Sequence, residues 1–497
     1  MGIIARQSIK GALANYIGVA IGFFVSFFIL TRYLTKDEIG LTRVMVDAAM
    51  LFSSLAQLGS NSSIVKFFPY FKDNKNNHGV FGLSVLLPLA GFVLFALGFL
   101  IFREPLLAIY SKNAPLLVDY FNLLPMLTFF ALYTAVFETN ASVLMRITIP
   151  KLVREVGIRL FNLAAYLLYG FNLISLDTFV WLFCGSYGLA MLLNLGYLMT
   201  LGHISFRIDR GFLTRDRVKE ISRYTLYMTM TALACNIPLF NSLFLGAKSG
   251  LALTGVYTIA SYIANVVEVP YRSLGAISRP VIATAIKEDH WDEVNRLSRQ
   301  VSLHQLLVSL LIFYVIWINI DALFAVIPNG NEYVGGVGVV FLLGIAKVIN
   351  SSFSVSIDIL NFSRFYSRGL PFIVVLTVSA IVFNNSFIGP MGISGAACAT
   401  LCAYLLYYVL LLSYLWWRLK VNIFSVGQLK TVTLIVALLL MDWGWNQWIT
   451  PALSLPVIVG AVVKTAVLGS LAAATVYFWK ISPTVNEIIQ KTLQRNQ

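Results

Sequence analysis

Lys347 lies near the middle of the apolar run Val334–Ile357. A charge at the centre of a bilayer costs at least ~2.5–3.5 kcal/mol, so an ionisable residue inside a span is expected to have a use. Its amine is too deep to reach either surface easily. Two roles are open to it. It is either a cation lining a wet cavity, where it would attract a phosphate or an acidic sugar, or half of an ion pair with a carboxylate such as Glu138 or Glu268. Other charges stand four apart, a separation that puts both side chains on one helix face. Glu268 and Arg272 do so with Pro270 between them to bend the helix, as do Arg43 and Asp47. Both pairs are candidates for binding a substrate and for flanking one cavity at its opposite ends. Glu155 and Arg159 repeat the spacing and are expected to be structural. Lys464, about a third of the way into a later apolar run, is a candidate for a lipid groove outside the core. Asn15, Asn236 (two residues before Pro238) and Asn241 could bond sugar hydroxyls, although such residues more often link helix to helix.

Other chemistries find little support. Cys184, Cys235, Cys398 and Cys402 all sit in apolar runs and are expected to pack as small hydrophobes. His78, His203, His290 and His304 are scattered without metal-ligand spacing, so no metal and no cofactor are expected. There is no Gly-Lys-Ser/Thr phosphate loop, which leaves ATP-driven chemistry unsupported. No catalytic residue is predicted.

The elements that must hold these residues are membrane spans. Of 497 residues 58% are hydrophobic and 12% charged, with a mean hydropathy of +0.80. A soluble domain carries roughly 25% charged residues, so the solvent for most of this chain is lipid. Crossing ~30 Å of hydrocarbon takes about 20 mostly apolar residues. Fourteen such runs are present: Gly11–Thr31, Thr42–Ile64, Gly79–Phe102, Leu116–Met145, Leu152–Gly170, Leu176–Leu201, Tyr224–Gly246, Leu253–Leu274, Val301–Ile320, Val334–Ile357, Gly369–Phe383, Ile393–Trp416, Leu429–Ile449 and Pro456–Trp479.

With the N-terminus inside, 28 of the 36 Lys and Arg residues fall in or beside inner segments, 6 in outer loops and 2 within spans. That bias orients both termini toward the cytoplasm. The +14 formal charge follows from it and is spread over many loops, so no nucleic-acid partner is expected. The loop Gly202–Arg223 carries six basic residues, Arg207 and Arg210 among them, and reads as a lipid-facing linker between halves. Lys287–Gln300 has Trp291, Val294 and Leu297 at helical spacing among charges and reads as an amphipathic interfacial helix, or as a plain connecting one.

The two halves open alike. Ser8-Ile9-Lys10 answers Ile221-Ser222-Arg223, Ile39-Gly40-Leu41-Thr42 answers Thr254-Gly255-Val256-Tyr257, and Lys66-Phe67-Phe68-Pro69 answers Ser278-Arg279-Pro280-Val281. The offset is about 211 to 215 residues, and six spans per half make the repeat parallel. The expected fold is all-α and integral to the membrane, with fourteen helices. It divides into an N-terminal six-helix lobe (1–201), a basic linker (202–223), a second six-helix lobe (224–420) and two further helices with a tail (421–497).

Thr31-Arg32-Tyr33-Leu34-Thr35-Lys36-Asp37-Glu38-Ile39-Gly40, Gln57-Leu58-Gly59, Ser278-Arg279-Pro280 and Gly389-Pro390-Met391-Gly392-Ile393-Ser394-Gly395-Ala396-Ala397 resemble the polysaccharide-flippase branch of the multidrug/oligosaccharidyl-lipid/polysaccharide exporter superfamily. The resemblance implies two lobes around a V-shaped alternating-access cavity in a bacterial inner membrane. It implies as cargo a glycan on undecaprenyl diphosphate, with membrane lipids as neighbours, and the chain is expected to act as a monomer. A drug or cation extruder of the same superfamily is the alternative, but Gly11–Thr31 and Tyr224–Gly246 contain no Asp or Glu to hold a cation. A glycan-processing membrane enzyme would call for a long charged outer loop, and Phe171–Ser175 carries no charge.

Overall fold

The computed structural model describes residues 17–71, 79–202, 206, 214–234, 237–453 and 455–481, with backbone alone for 230–234, 237–238, 272–273, 276–277 and 452–453. Asn15, Asn236, Cys235, His78, His203, Arg207, Arg210 and the Ser8-Ile9-Lys10 motif lie outside the described residues. The described residues are helical throughout, without a strand. Among the described residues ten helices are long and apolar enough to cross a membrane. Gly369–Leu419 is two of the expected spans in one run, divided at Gly392, whose φ of 56° and ψ of −132° only glycine adopts readily. Ile17–Tyr33 is apolar but shorter, and Thr148–Gly170 is helical through a π-turn at Val153–Gly157.

Local chemistry places the helix starts. Thr35 caps Lys36–Ala56, its hydroxyl accepting from Glu38 N while the Glu38 carboxylate accepts from Thr35 N at 2.8 Å. Ser425 and Gln428 repeat the device at Val426–Gly444, and Ser175 caps Leu176–Leu201. Pro270 has no N–H to give and crowds the carbonyl four residues back, so the chain tightens to a 3₁₀ turn at Val266–Glu268 between Leu251–Asn265 and Val269–Lys287. The charged segment after Pro280 is no separate helix. Trp291–Ile318 runs unbroken, with Val294 and Ser298 buried in its first turns and Asp292, Arg296 and Arg299 exposed. Nothing between Gln300 and the apolar run breaks a helix, so the two are one element. The end of the basic loop is likewise already helical, from Arg215.

Which helices meet lipid follows from their composition. Val80–Ser111 is the most apolar of the ten and has only 17% of its window buried, whereas the less apolar Lys36–Ala56 has 67%. A helix wrapped by protein can keep polar groups that lipid would reject.

Contacts divide the chain into two compact units, Met1–Thr258 with Asn384–Ile393, and Ile259–Phe383 with Ser394–Gln497. The first unit holds a cluster around Leu132, Val136 and Ala141 packed with Phe and Tyr rings. It also contains a reciprocal contact. A Cβ on Gly40 would collide with the Leu251 carbonyl, and one on Gly255 with the Lys36 carbonyl. Gly40 to Gly255 and Lys36 to Leu251 are both 215 residues, so each helix start presents the same surface to the other, as at a two-fold interface. The second unit is built around Leu303, Leu307, Tyr314 and Leu438, with Phe313, Val267 and Val348 in a neighbouring cluster.

Candidate functional site

Glu268 ends the 3₁₀ turn that Pro270 forces, which turns its carboxylate inward within the second unit. Lys347 Nζ donates to Glu268 Oε2 at 3.1 Å and Asn350 Nδ2 to Glu268 Oε1 at 2.8 Å. Tyr408 O–H donates to Asn350 Oδ1 at 2.7 Å, which fixes the amide with its NH₂ toward the carboxylate. The side chains of Lys347 and Glu268 are 9% and 13% exposed. Of the two roles open to Lys347, an ion pair is what it has, and its partner is Glu268. Glu138 is engaged in the first unit, accepting from Arg154 Nη1 at 2.8 Å. Arg272 follows in Val269–Lys287, the helix that begins just after Glu268, but its side chain lies outside the described residues.

In the first unit Arg43 Nε donates to Asp47 Oδ2 at 2.6 Å, and Ser242 Oγ donates to the same oxygen at 2.5 Å. This couples Lys36–Ala56 to Ile237–Ser249. Asp47 is buried, so its charge depends on these donors. Asn241, one residue before Ser242, donates to the Tyr257 hydroxyl at 2.6 Å and accepts from Asn384 at 3.0 Å. It is buried and serves helix-to-helix bonding. Glu155 and Arg159 pair at 3.3 Å.

Lys464 is buried and held by Asp442 at 3.0 Å and Asn446 Oδ1 at 3.2 Å, which joins Val457–Phe478 to Val426–Gly444 and the turn after it. Sequence reading missed Asp442. The signal was there, since Asp442 is the only acid in Leu429–Ile449 and Lys464 the only internal base of the next span. It also missed Glu38, whose carboxylate, beyond its cap, accepts the Tyr169 hydroxyl proton at 2.6 Å. The second unit further locks Arg279 Nε to Asp358 Oδ2 at 3.0 Å, with Arg279 Nη2 on the Tyr271 hydroxyl at 2.9 Å. Among the described residues no cluster of His, Cys, Asp and Glu has the makings of a metal site.

Long apolar helices with a buried ion pair inside each unit mark a multi-pass membrane protein. Its fold is shared with solved structures of other membrane proteins. It is similar to a structure described as "Lipid II flippase MurJ, inward closed conformation", at a TM-score of 0.67 and 12% identity over 93% of this chain and 98% of the other. It is also similar to an inward-facing multidrug resistance MATE family transporter of the MOP superfamily, at 0.62 and 16% over 85% and 98%. A MOP superfamily transporter from Pyrococcus furiosus aligns at 0.50 and 15% over 82% and 94%. No curated protein sequence matches the chain. The family "Polysaccharide biosynthesis protein" matches residues 5–286, and the chain belongs to it. The resemblance to the polysaccharide-flippase branch is therefore borne out.

Proposed function

We propose that the protein is a flippase that carries a lipid-linked glycan, an oligosaccharide or polysaccharide repeat unit on undecaprenyl diphosphate, from the cytoplasmic to the outer leaflet of a bacterial inner membrane. The observation that carries this reading is that a member of the polysaccharide biosynthesis family has the fold of a lipid II flippase over 93% of its length. On this reading fourteen spans cross the membrane, two six-helix lobes alternate access, and the last two helices stand beside them. The cargo is anionic at its diphosphate. That suits first and seventh spans without acids, and a chain whose basic residues crowd the inner side.

Lys347 and Arg272 are proposed to meet the diphosphate, with Glu268, Arg43 and Asp47 setting the local field and Asn15 and Asn236 bonding sugar hydroxyls. Lys347 is held by Glu268 until an anion competes for it, since a charge-assisted bond to phosphate replaces one to carboxylate with little net cost. Lys464, tied to Asp442, is proposed to steady the pair of helices that faces the lipid chain.

The test is competition on purified protein in nanodiscs. An undecaprenyl diphosphate-sugar should displace a labelled analogue better than the free sugar does, and added salt should weaken it. Tight binding of organic cations with no response to lipid diphosphates would reassign the protein to drug export.

A further inference from the structure

The buried or half-buried cations Arg43, Lys347 and Lys464 are held by Asp47, Glu268 and Asp442, and the exposed Arg279 is held by Asp358. Lys66 is exposed and is handled differently. It sits on Ser60–Phe71 at the end of the second span, where sequence comparison sets it against the Arg279 segment of the other half. No described carboxylate pairs with it. Its ammonium instead lies 3.9 Å from the centre of the Tyr224 ring and 5.0 Å from that of Phe67. Ring faces hold a cation in place without neutralising it, so its charge stays available to an anion.

Lys66 lines an open surface cleft of about 410 Å³ on the first unit, in the size range that small-ligand sites occupy. The other walls bring Asn61, Ser62 and Thr139 as hydrogen-bonding groups and Val65 and Met228 as apolar ones. Asn61 is oriented by its bond to the Ala135 carbonyl at 3.2 Å, and its Oδ1 is buried behind the cleft surface without a hydrogen-bond partner. The frame behind is tied by Ser63 and Thr225, whose hydroxyls are 2.6 Å apart. One unneutralised cation beside an amide and two hydroxyls matches a ligand with both phosphate and sugar hydroxyls. A purely apolar ligand would leave these groups unpaired, and an organic cation would face Lys66.

We propose that this cleft, with Lys66 as its anion-binding group, is a loading site for the sugar-diphosphate part of the cargo. This rests on the flippase reading and places an additional site, apart from Lys347, at the end of the span that the orientation puts inside.

The test uses the full-length protein in nanodiscs and farnesyl diphosphate-linked N-acetylglucosamine as the probe, with inorganic pyrophosphate and phosphatidylglycerol as competitors. Lys66→Ala and the cleft-filling Thr139→Leu should each weaken probe binding roughly tenfold, as loss of a bond to a charged group does, while Lys66→Arg keeps most of it. In a background without native cysteines, the probe should protect Val65→Cys from a thiol reagent. Melting temperatures near wild type will show that the variants are folded. Pyrophosphate should compete weakly and phosphatidylglycerol not at all. If Lys66→Ala and Thr139→Leu bind the probe as wild type does, the loading site is overturned and the flippase reading stands. Displacement by phosphatidylglycerol as effective as by pyrophosphate would make the cleft a lipid headgroup site and also overturn it. A wild-type protein with no affinity for the probe would overturn both readings.

Discussion

Lys347 and Glu268 each stand where the other can satisfy it, so removing either leaves a lone charge in a low-dielectric interior. Breaking such a pair costs about 3–5 kcal/mol, while replacing both partners together is often close to neutral. Lys347→Ala alone is therefore expected to lower the amount of folded protein in the membrane. The double variant Lys347→Met with Glu268→Gln is expected to restore abundance but not transport, because the cation the cargo needs is gone. Quantitative blotting alongside a transport readout checks this, and wild-type transport by the double variant would make the pair purely structural. Sequence showed that Lys347 had to be used and offered Glu138 and Glu268 as examples of a partner. It could not choose between them, since Glu138 and Glu268 differ only in which helix passes Lys347, and that is a property of packing. Asp442 and Lys464 were legible by the same reasoning, as one acid and one base in consecutive spans, and went unpaired because Lys464 was read alone and Asp442 was passed over.

Helix starts and breaks follow from local chemistry, at Thr35 with Glu38, Ser425 with Gln428, Pro270 and Gly392. Of these only the bend at Pro270 was read, and the apolar runs placed two starts late, at Thr42 and Leu429. Continuity was no easier to read. The charged segment from Trp291 reads as a surface helix by its pattern, yet it is the first part of a membrane-crossing one, since a change in polarity does not break a helix. Gly40 and Gly255 were visible as repeat partners, but their reason was not: each admits the backbone of the other's helix. Gly40→Ala and Gly255→Ala should therefore each destabilise the protein by about 1–3 kcal/mol, the usual cost of overpacking. Because the contact is reciprocal, the two losses should be similar, and the double variant should lose less than their sum, since one displacement relieves both clashes. Thermal unfolding in detergent measures this, and a Gly255→Ala protein as stable as wild type would remove the two-fold character of the interface.

At the scale of the whole molecule, charge placement carries the strongest expectation, because the positive-inside bias acts on the chain as it inserts and needs no tertiary structure. The count of spans is harder to read than their direction. Gly369–Leu419 merges two runs into one helix. Direction survives such ambiguities if spans are lost or gained in pairs and reverses if a single one is miscounted, so labelling at points along the chain tests both together. Ser175 and Asn329 are exposed at helix boundaries and are expected outside, while Asp216, exposed in the first turn of Arg215–Ala234, is expected inside. With the native cysteines replaced, Ser175→Cys and Asn329→Cys should react with an impermeant thiol reagent in intact cells, and Asp216→Cys only after permeabilisation. Labelling of Asp216→Cys from outside would reverse the linker and with it the proposed direction of the cargo. If Ser175→Cys labels but Asn329→Cys does not, an odd number of crossings separates them, and one span between Leu176 and Asn329 has been misread.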